Sequence, residues 1–247
     1  LAQLGLSVDQ LKTFENLINK PHGIIFLTGP TGSGKSTTLY ACLNKINTED
    51  RKIITIEDPV EYEMEGVTQI QVSSSIGLDF AKGLRSMLRH DPDVMMVGEV
   101  RDLETAEMAI RVALTGHLVF STLHTNDSAS GATRLVDIGI APYLVASSIE
   151  AFVAQRLVRT LCQKCKEEDV DFSPEIKKQI AREINLAPEK FKVGRGKGCE
   201  ACNFSGFWGR LAIYEILLLN DSIKQLVTRG ATAGDIKRQA VKLGMKT

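Results

Sequence analysis

The sequence predicts an α/β fold: a parallel sheet flanked by helices, with a small cysteine-bounded subdomain. Short apolar runs alternate with helix-like stretches before residue 142, which is typical of parallel strands joined by helical crossovers. A glycine-rich loop joins the first of these runs to a helix, and two Cys-x-x-Cys pairs bracket a later insert. The loop and the cysteine pairs are also where the chemistry of the chain is expected.

The glycine-rich loop has the spacing Gly-x-x-x-x-Gly-Lys-Ser. An apolar run at residues 24–28 precedes it as a buried strand, and residues 35–47 follow as a helix, which is the context of a phosphate-binding loop. Glycines let backbone N–H groups approach a polyanion, and the helix N-terminus adds the positive end of its dipole. Lys35 is expected on the β- and γ-phosphates, and Ser36 is expected to give an oxygen to Mg²⁺. The residues predicted to bind a nucleoside triphosphate are Gly29, Pro30, Thr31, Gly32, Ser33, Gly34, Lys35, Ser36 and Thr37.

The other elements before residue 142 follow from capping signals and periodicity. Ser7 with Gln10 predicts a capping box that opens a helix through about Asn19. The apolar face of that helix is expected to contain Val8, Leu11, Phe14, Leu17 and Ile18. Further strands are predicted at residues 52–57, 93–98 and 117–123, and helices at residues 80–90, 103–114 and 128–138. Residues 68–72 are predicted to form a peripheral strand or a hairpin arm.

From residue 142 the pattern changes. A long helix is predicted from Pro142 to about Leu161, before the cysteine-bounded insert. A helix over residues 174–184 is expected inside the insert. After the insert we predict a strand over residues 210–219 and helices over residues 222–229 and 233–243.

Composition is ordinary for a globular protein, with 43% apolar and 24% charged residues. Lys plus Arg and Asp plus Glu each number 30, so the formal net charge is zero. This balance gives no global electrostatic basis for binding nucleic acid. We find no apolar run long enough to span a bilayer. Five cysteines beside a phosphate loop indicate a reducing compartment, where paired thiols more often hold metal than form disulfides.

Acidic residues end two of the predicted strands, at the edge of a parallel sheet where ligands bind. Glu57 and Asp58 end the second strand, and one or the other is predicted to orient Mg²⁺ and its waters, with a solvated acidic turn as the alternative. Glu99 follows Gly98 at the end of the third strand, where many phosphate-loop proteins have Asp-Glu. Glu99 is the predicted carboxylate that positions or deprotonates the attacking water. A structural role for Glu99 is the alternative.

Histidines and arginines near these strands have two interpretations each. His117 and His124 bracket the fourth strand. Each could be a satisfied polar residue at a strand end or a sensor of the γ-phosphate. Arg85 and Arg89 lie four residues apart, on one helix face. The two arginines could stabilise phosphate charge in their own or a neighbouring subunit, or form ion pairs on a solvated face.

The cysteine pairs are Cys162 with Cys165 and Cys199 with Cys202. Two such pairs fit a tetrahedral Zn²⁺ site with four thiolates, although the spacer between them is longer than usual. Four sulfur ligands leave no open coordination position, so the zinc is predicted to be structural. A redox dithiol is the alternative.

Taken together, the phosphate loop, residues 55–61, 91–102 and 116–126 and the four cysteines resemble the secretion-superfamily ATPases. The similarity is closer to the type II secretion and type IV pilus assembly ATPases, and residues 154–159 and 206–210 add to it. The resemblance implies a RecA-like phosphate-loop ATPase core that hydrolyses ATP with Mg²⁺. It implies a cytoplasmic homohexamer, peripheral at the inner membrane, that passes motion to platform proteins extruding pilin or pseudopilin subunits. No nucleic-acid partner is expected.

By the same resemblance, residues 55–61 are the acidic box, Glu99 is the catalytic acid, and His117 and His124 belong to a histidine box. The four cysteines favour an assembly-type member over the retraction ATPases. The implied domains are a RecA-like core over residues 1–160, a zinc-binding insert over 161–203, and a C-terminal strand and helices over 204–247. We expect a truncated chain, without the N-terminal domains that dock on membrane partners and supply interfacial arginines. Hydrolysis would then be slowed by a factor of roughly 10³–10⁵.

Two other classes of function use a phosphate loop. A nucleotide switch is disfavoured for GTP, because residues 44–47 lack the acid of a guanine-selecting Asn-Lys-x-Asp motif. A nucleic-acid translocase on the same core fold is the remaining alternative. Zero net charge and only 6% aromatic residues count against it.

Overall fold

A computed structural model describes residue 1 and residues 4–247 of the chain. The described residues form two compact units. The sheet unit comprises Leu1–Arg156 and Ala212–Thr247, and the cysteine unit comprises Leu157–Leu211. Three domains are predicted from the sequence, at residues 1–160, 161–203 and 204–247. Their bounds differ from those of the two compact units, and the three-domain division stays a prediction.

Helices and strands alternate through most of the chain. In chain order the strands are β1 (Gly23–Thr28), β2 (Ile53–Glu57), β3 (Val67–Gln71), β4 (Val94–Val97), β5 (Leu118–Leu123), β6 (Ile149–Leu161), β7 (Lys166–Glu168), β8 (Gly194–Gly196) and β9 (Phe207–Leu218). The α-helices are α1 (Val8–Ile18), α2 (Lys35–Ile46), α3 (Phe80–Met87), α4 (Leu103–Leu114), α5 (Ala129–Ile138), α6 (Pro142–Ser148), α7 (Pro174–Glu183), α8 (Asp221–Thr228) and α9 (Ala233–Lys242).

The main sheet has the strand order β3-β2-β4-β5-β1-β6-β9. Strands β1 to β6 pair in parallel, as predicted for apolar runs joined by helical crossovers. The amide of Leu219, just after β9, donates to the carbonyl of Glu150 at the start of β6, so β9 runs antiparallel. Parallel pairing brings the carboxyl ends of β1, β2, β4 and β5 to one edge of the sheet.

Strand β1 lies inside the sheet and is apolar along most of its length. Ile24, Ile25 and Leu27 are fully buried, because helices cover both faces of a parallel sheet. The ring of Phe26 stacks on that of Phe152 in β6, with centroids 5.6 Å apart. Burying one such side chain stabilises the fold by about 1.5–3 kcal/mol, so the strand that leads into the phosphate loop is anchored in the core of the sheet.

Helix α1 has the predicted capping box. The Ser7 hydroxyl accepts from the Gln10 amide at 3.3 Å, and the Gln10 side chain accepts from the Ser7 amide at 3.1 Å. The predicted apolar face is only partly correct. Phe14, Leu17 and Ile18 are buried, whereas Val8 in the first turn is 85% exposed.

The predicted long helix from Pro142 to Leu161 is wrong. Helix α6 ends at Ser148 and β6 begins at Ile149. Residues Ile149–Ala154 pair with β1, with Ala154 opposite Thr28. Strand β1 lies more than a hundred residues earlier in the chain. Pairing with it overrides the local helical pattern, because whether a segment forms a strand depends on the strands beside it in the sheet.

The peripheral strand predicted at residues 68–72 is β3, an edge strand parallel to β2 rather than a hairpin arm. Within the cysteine unit, β7 and β8 form an antiparallel pair, and α7 lies between them in the chain. Among the described residues, no helix has the length and hydrophobicity needed to cross a bilayer.

Candidate functional site

The phosphate-binding loop connects β1 to α2 at the carboxyl edge of the sheet. Gly29, Gly32 and Gly34 have φ values of 145°, 76° and 86°, which L side chains rarely adopt. Helix α2 begins at Lys35, and its first turn has no side-chain cap. Uncapped N–H groups at a helix N-terminus form an anion-binding site.

Two features of the loop fit a polyphosphate. A Cβ on Gly29 would lie 2.6 Å from the carbonyl oxygen of Gln155 and 2.7 Å from Oγ of Ser33, so the backbone passes too close for any other residue. The Ser33 hydroxyl is buried and has no hydrogen-bond partner among the described residues. A buried hydroxyl without a partner is costly, and a phosphate oxygen would satisfy it.

Lys35 is folded back onto its own loop. Its Nζ donates to the carbonyl oxygens of Gly29 at 2.9 Å and Pro30 at 3.1 Å. Burial lowers the pKa of Lys35, and the negative charge of Glu99 opposes that lowering. Two carbonyl oxygens hold the ammonium group at the loop, where charged phosphate oxygens could replace them as stronger acceptors.

Glu99 lies just beyond β4 and is largely buried. One carboxylate oxygen is 2.5 Å from Nη2 of Arg101, and the other is 3.4 Å from Nε2 of His124, just after β5. The Thr122 hydroxyl donates to the Gly98 carbonyl at 2.8 Å, which ties this turn to β5. The structure thus brings Glu99 and His124 together. Sequence reasoning did not assign Arg101 or Thr122 a role.

Glu57 ends β2 and is 4% exposed. Its carboxylate accepts hydrogen bonds from the Thr55 hydroxyl at 2.6 Å, from Nε2 of Gln69 at 3.1 Å, and from the hydroxyl of Tyr40. Asp58 beside it is exposed. Sequence reasoning missed Tyr40 and Gln69, because polar residues on a helix and on an edge strand carry no motif of their own.

Three predicted residues lie apart from these groups. Arg85 forms an ion pair with Glu104 of α4, and Nη1 of Arg89 donates to the Arg85 carbonyl at 3.3 Å. Neither arginine contacts the phosphate loop within the described residues. Nδ1 of His117 is 3.1 Å from the carbonyl of Val112, at the amino end of β5. The length of β5, roughly 20 Å, therefore separates His117 from His124.

The four cysteines of the cysteine unit converge. Their sulfur atoms all lie within 4.8 Å of one another, with three of the pairs at 3.8–3.9 Å. These spacings are far longer than a disulfide bond. They match the edge of about 3.8 Å that four sulfurs 2.3 Å from a tetrahedral zinc would have. The cluster can therefore hold a metal ion with no further ligand.

Backbone amides support one thiolate of the cluster. The amides of Cys199 and Gly206 both donate to Sγ of Cys202 at 3.3 Å. The hydrogen bond from Cys199 lowers the pKa of Cys202 to about 6. Burial raises the pKa of Cys165 to about 12. One sulfur is thus prepared as an anionic ligand, which is the form that metal binding requires.

Comparison with known proteins gives a consistent result over the whole chain. A family model described as "Type II/IV secretion system protein" matches residues 1–247. The type II secretion system protein E of Aeromonas hydrophila is 51% identical over 227 residues, which are 92% of this chain and 44% of that protein. The type IV pilus assembly ATPase PilB of Myxococcus xanthus is 46% identical over 252 residues, covering 100% of this chain and 44% of that protein. The chain thus spans less than half the length of either relative.

Two solved structures share the fold. The ATPase DotB of Legionella pneumophila superposes with a TM-score of 0.68 and 27% identity, over 100% of this chain and 58% of that one. The pilus retraction motor PilT with bound ADP superposes with a TM-score of 0.67 and 32% identity, over 100% of this chain and 64% of that one.

Proposed function

The chain belongs to the type II/IV secretion system protein family, and on that premise we propose that it hydrolyses ATP in a motor that assembles pilin or pseudopilin fibres. The observation that supports this most directly is the geometry of the phosphate loop, in which glycines at positive φ lead into the uncapped N-terminus of α2 and Nζ of Lys35 lies on the loop carbonyls. Phosphoryl transfer from ATP needs a cation on the phosphates and a group that orients the attacking water. The ADP bound to the PilT retraction motor supports a nucleotide as the ligand.

In the proposed reaction, the N–H groups of the loop and of the first turn of α2 bind the polyphosphate of ATP. Lys35 exchanges the carbonyls of Gly29 and Pro30 for oxygens of the β- and γ-phosphates. Glu99 orients the attacking water and accepts its proton as the water oxygen bonds to the γ-phosphorus and the bond to the β–γ bridging oxygen breaks, which releases ADP and phosphate. Arg101 and His124 hold the two carboxylate oxygens of Glu99 in place. Gly29, Pro30, Thr31, Gly32, Ser33, Gly34, Ser36 and Thr37 complete the cradle.

The residues that would hold Mg²⁺ are Ser36 at the start of α2 and the acids that end β2, Glu57 or Asp58. The bound ion would neutralise phosphate charge as it develops. Arg85 and Arg89 are exposed, so their proposed role is on the phosphates of a neighbouring subunit. A factor of roughly 10³–10⁵ in rate is typical of such an arginine.

The motor itself is proposed from the relatives. Type II secretion protein E and the pilus assembly ATPase PilB are two relatives whose similarity extends over nearly all of this chain. By that likeness the chain works as a homohexamer in the cytoplasm and contacts the inner-membrane platform of type II secretion or of the type IV pilus. The four-cysteine cluster, Cys162, Cys165, Cys199 and Cys202, is proposed to hold a structural Zn²⁺ and supports an assembly-type member.

The test is ATP hydrolysis by this chain under single-turnover conditions, which detect slow chemistry. Glu99→Gln is expected to lower the hydrolysis rate by about 10²–10⁴-fold and to leave the dissociation constant for ATP within about threefold. Glu107→Gln is the matched control, because Glu107 is an exposed acid on α4. Equal rates in the Glu99→Gln and Glu107→Gln variants would remove Glu99 from the mechanism. No binding of ATP by the unchanged chain would refute the function as a whole.

A further inference from the structure

The buried carboxylate of Glu57 is held by donors from three different segments. Thr55 is its neighbour on β2, Tyr40 is on α2, and Gln69 is on β3. A carboxylate offers about four acceptor positions, and these donors occupy three of them. The side chain therefore has one fixed orientation, and about one acceptor position remains for a ligand.

Tyr40 and Gln69 also hold the segment that follows Glu57. The Tyr40 hydroxyl accepts from the Glu61 amide at 3.2 Å. The Gln69 side chain accepts from the Met64 amide at 2.7 Å, and its Nε2 donates to the carbonyl of Tyr62 at 3.2 Å. The same two side chains thus fix both the buried acid and the path of residues 58–64 beyond it.

Helix α2 links this network to the phosphate loop. Tyr40 lies on the helix that begins at Lys35, five residues earlier. Its hydroxyl donates to Oε2 of Glu57 and accepts from the Glu61 amide, so the helix, the buried acid and the following segment are tied together. An apolar ring at position 40 would pack as well but would leave one carboxylate oxygen without a donor.

From these contacts we propose that Tyr40 and Gln69 are positioning residues for ATP hydrolysis. They fix the carboxylate of Glu57, and with it residues 58–64, relative to the helix that carries the phosphate loop. This inference rests on the proposed function, since it assigns the network a role in that reaction. Neither side chain is proposed to contact ATP.

Tyr40→Phe and Gln69→Leu test the inference. Each removes the hydrogen bonds to Glu57 and keeps a side chain of similar size. A displacement of about 1 Å in a catalytic group costs up to about 10²-fold in rate. We expect the single-turnover rate at saturating ATP to fall by about 10- to 100-fold, with the dissociation constant for ATP within about twofold. Amide exchange of Glu61 and Met64 is expected to become faster in the matching variant.

Tyr214→Phe is the control for loss of a buried phenol. The Tyr214 hydroxyl forms a hydrogen bond with the hydroxyl of Thr38, which is on α2 like Tyr40. Tyr214 has no contact with Glu57 in the described structure. Rates are compared per folded molecule, so a loss of stability alone would not change them. If Tyr40→Phe and Gln69→Leu both hydrolyse ATP as fast as Tyr214→Phe, the inference is overturned while the proposed function stands. If the unchanged chain hydrolyses no ATP, both are refuted.

Discussion

Replacing Gly29 with alanine is expected to destabilise the chain, measured without nucleotide, by about 2–6 kcal/mol. Two terms contribute. Gly29 has a φ of 145°, and a residue other than glycine in such a sparsely populated backbone region costs about 1–3 kcal/mol. The added Cβ would lie 2.6 Å from the Gln155 carbonyl and 2.7 Å from the Ser33 hydroxyl. Overpacking of that kind costs typically 1–3 kcal/mol.

Gly32→Ala separates these two terms. Gly32 also has a positive φ, of 76°, but a Cβ there would meet nothing within 4 Å. Only the backbone term remains, so the expected loss is about 1–2 kcal/mol. Urea unfolding of both variants and of the unchanged chain, monitored by far-UV circular dichroism, gives the free energies. Equal losses in the two variants, or a larger loss in Gly32→Ala, would show that the close approach at Gly29 is not as described.

Three further predictions concern other parts of the chain. Glu215→Gln should cost only about 0.2–1 kcal/mol in urea unfolding, because Lys237, 3.1 Å away, is 37% exposed and can be hydrated, and the Gln oxygen can still accept from Ser128; a loss above about 3 kcal/mol would contradict this. Burial raises the pKa of Tyr40 from 10.0 to about 12. The contribution of the Tyr40 phenol to the free energy of unfolding is therefore complete below pH 10 and is lost as the pH rises towards 12. The stability difference between the unchanged chain and Tyr40→Phe should therefore narrow over that range, and a constant difference would refute it. Cys202→Ser should reduce bound zinc, measured by mass spectrometry of the metal, by about one ion per chain, and unchanged metal content would favour the dithiol alternative.

Much of the sheet could be predicted because its central strands are short apolar runs between helices. Strands β2 and β5 begin one residue after their predicted starts and end where predicted. Strand β6 could not be predicted this way. Its polar residues Glu150, Gln155 and Arg156 break the apolar run, and its partner β1 lies far away in the sequence. Strand identity there is decided by tertiary pairing, which no local pattern contains.

The parts of the candidate site that could be predicted are those whose chemistry requires a fixed spacing of residues along the sequence. The phosphate loop and the cysteine pairs have fixed spacings, and parallel pairing alone brings Glu99 and His124 to one edge. The hydrogen-bond network of Glu57 was not predictable. It depends on the register of β2 and β3, which sets Gln69 opposite Thr55, and on the rotation of α2, which turns Tyr40 towards Glu57.

The most direct test of the account is a crystal structure of this chain with Mg²⁺ and a non-hydrolysable ATP analogue. We expect phosphates on the amides of the loop and of the first turn of α2. We also expect that Lys35 has left the carbonyls of Gly29 and Pro30 for phosphate oxygens, and that the carboxylate of Glu99 faces the terminal phosphate. An analogue bound elsewhere, or bound in the loop with Glu99 directed away from it, would contradict the account.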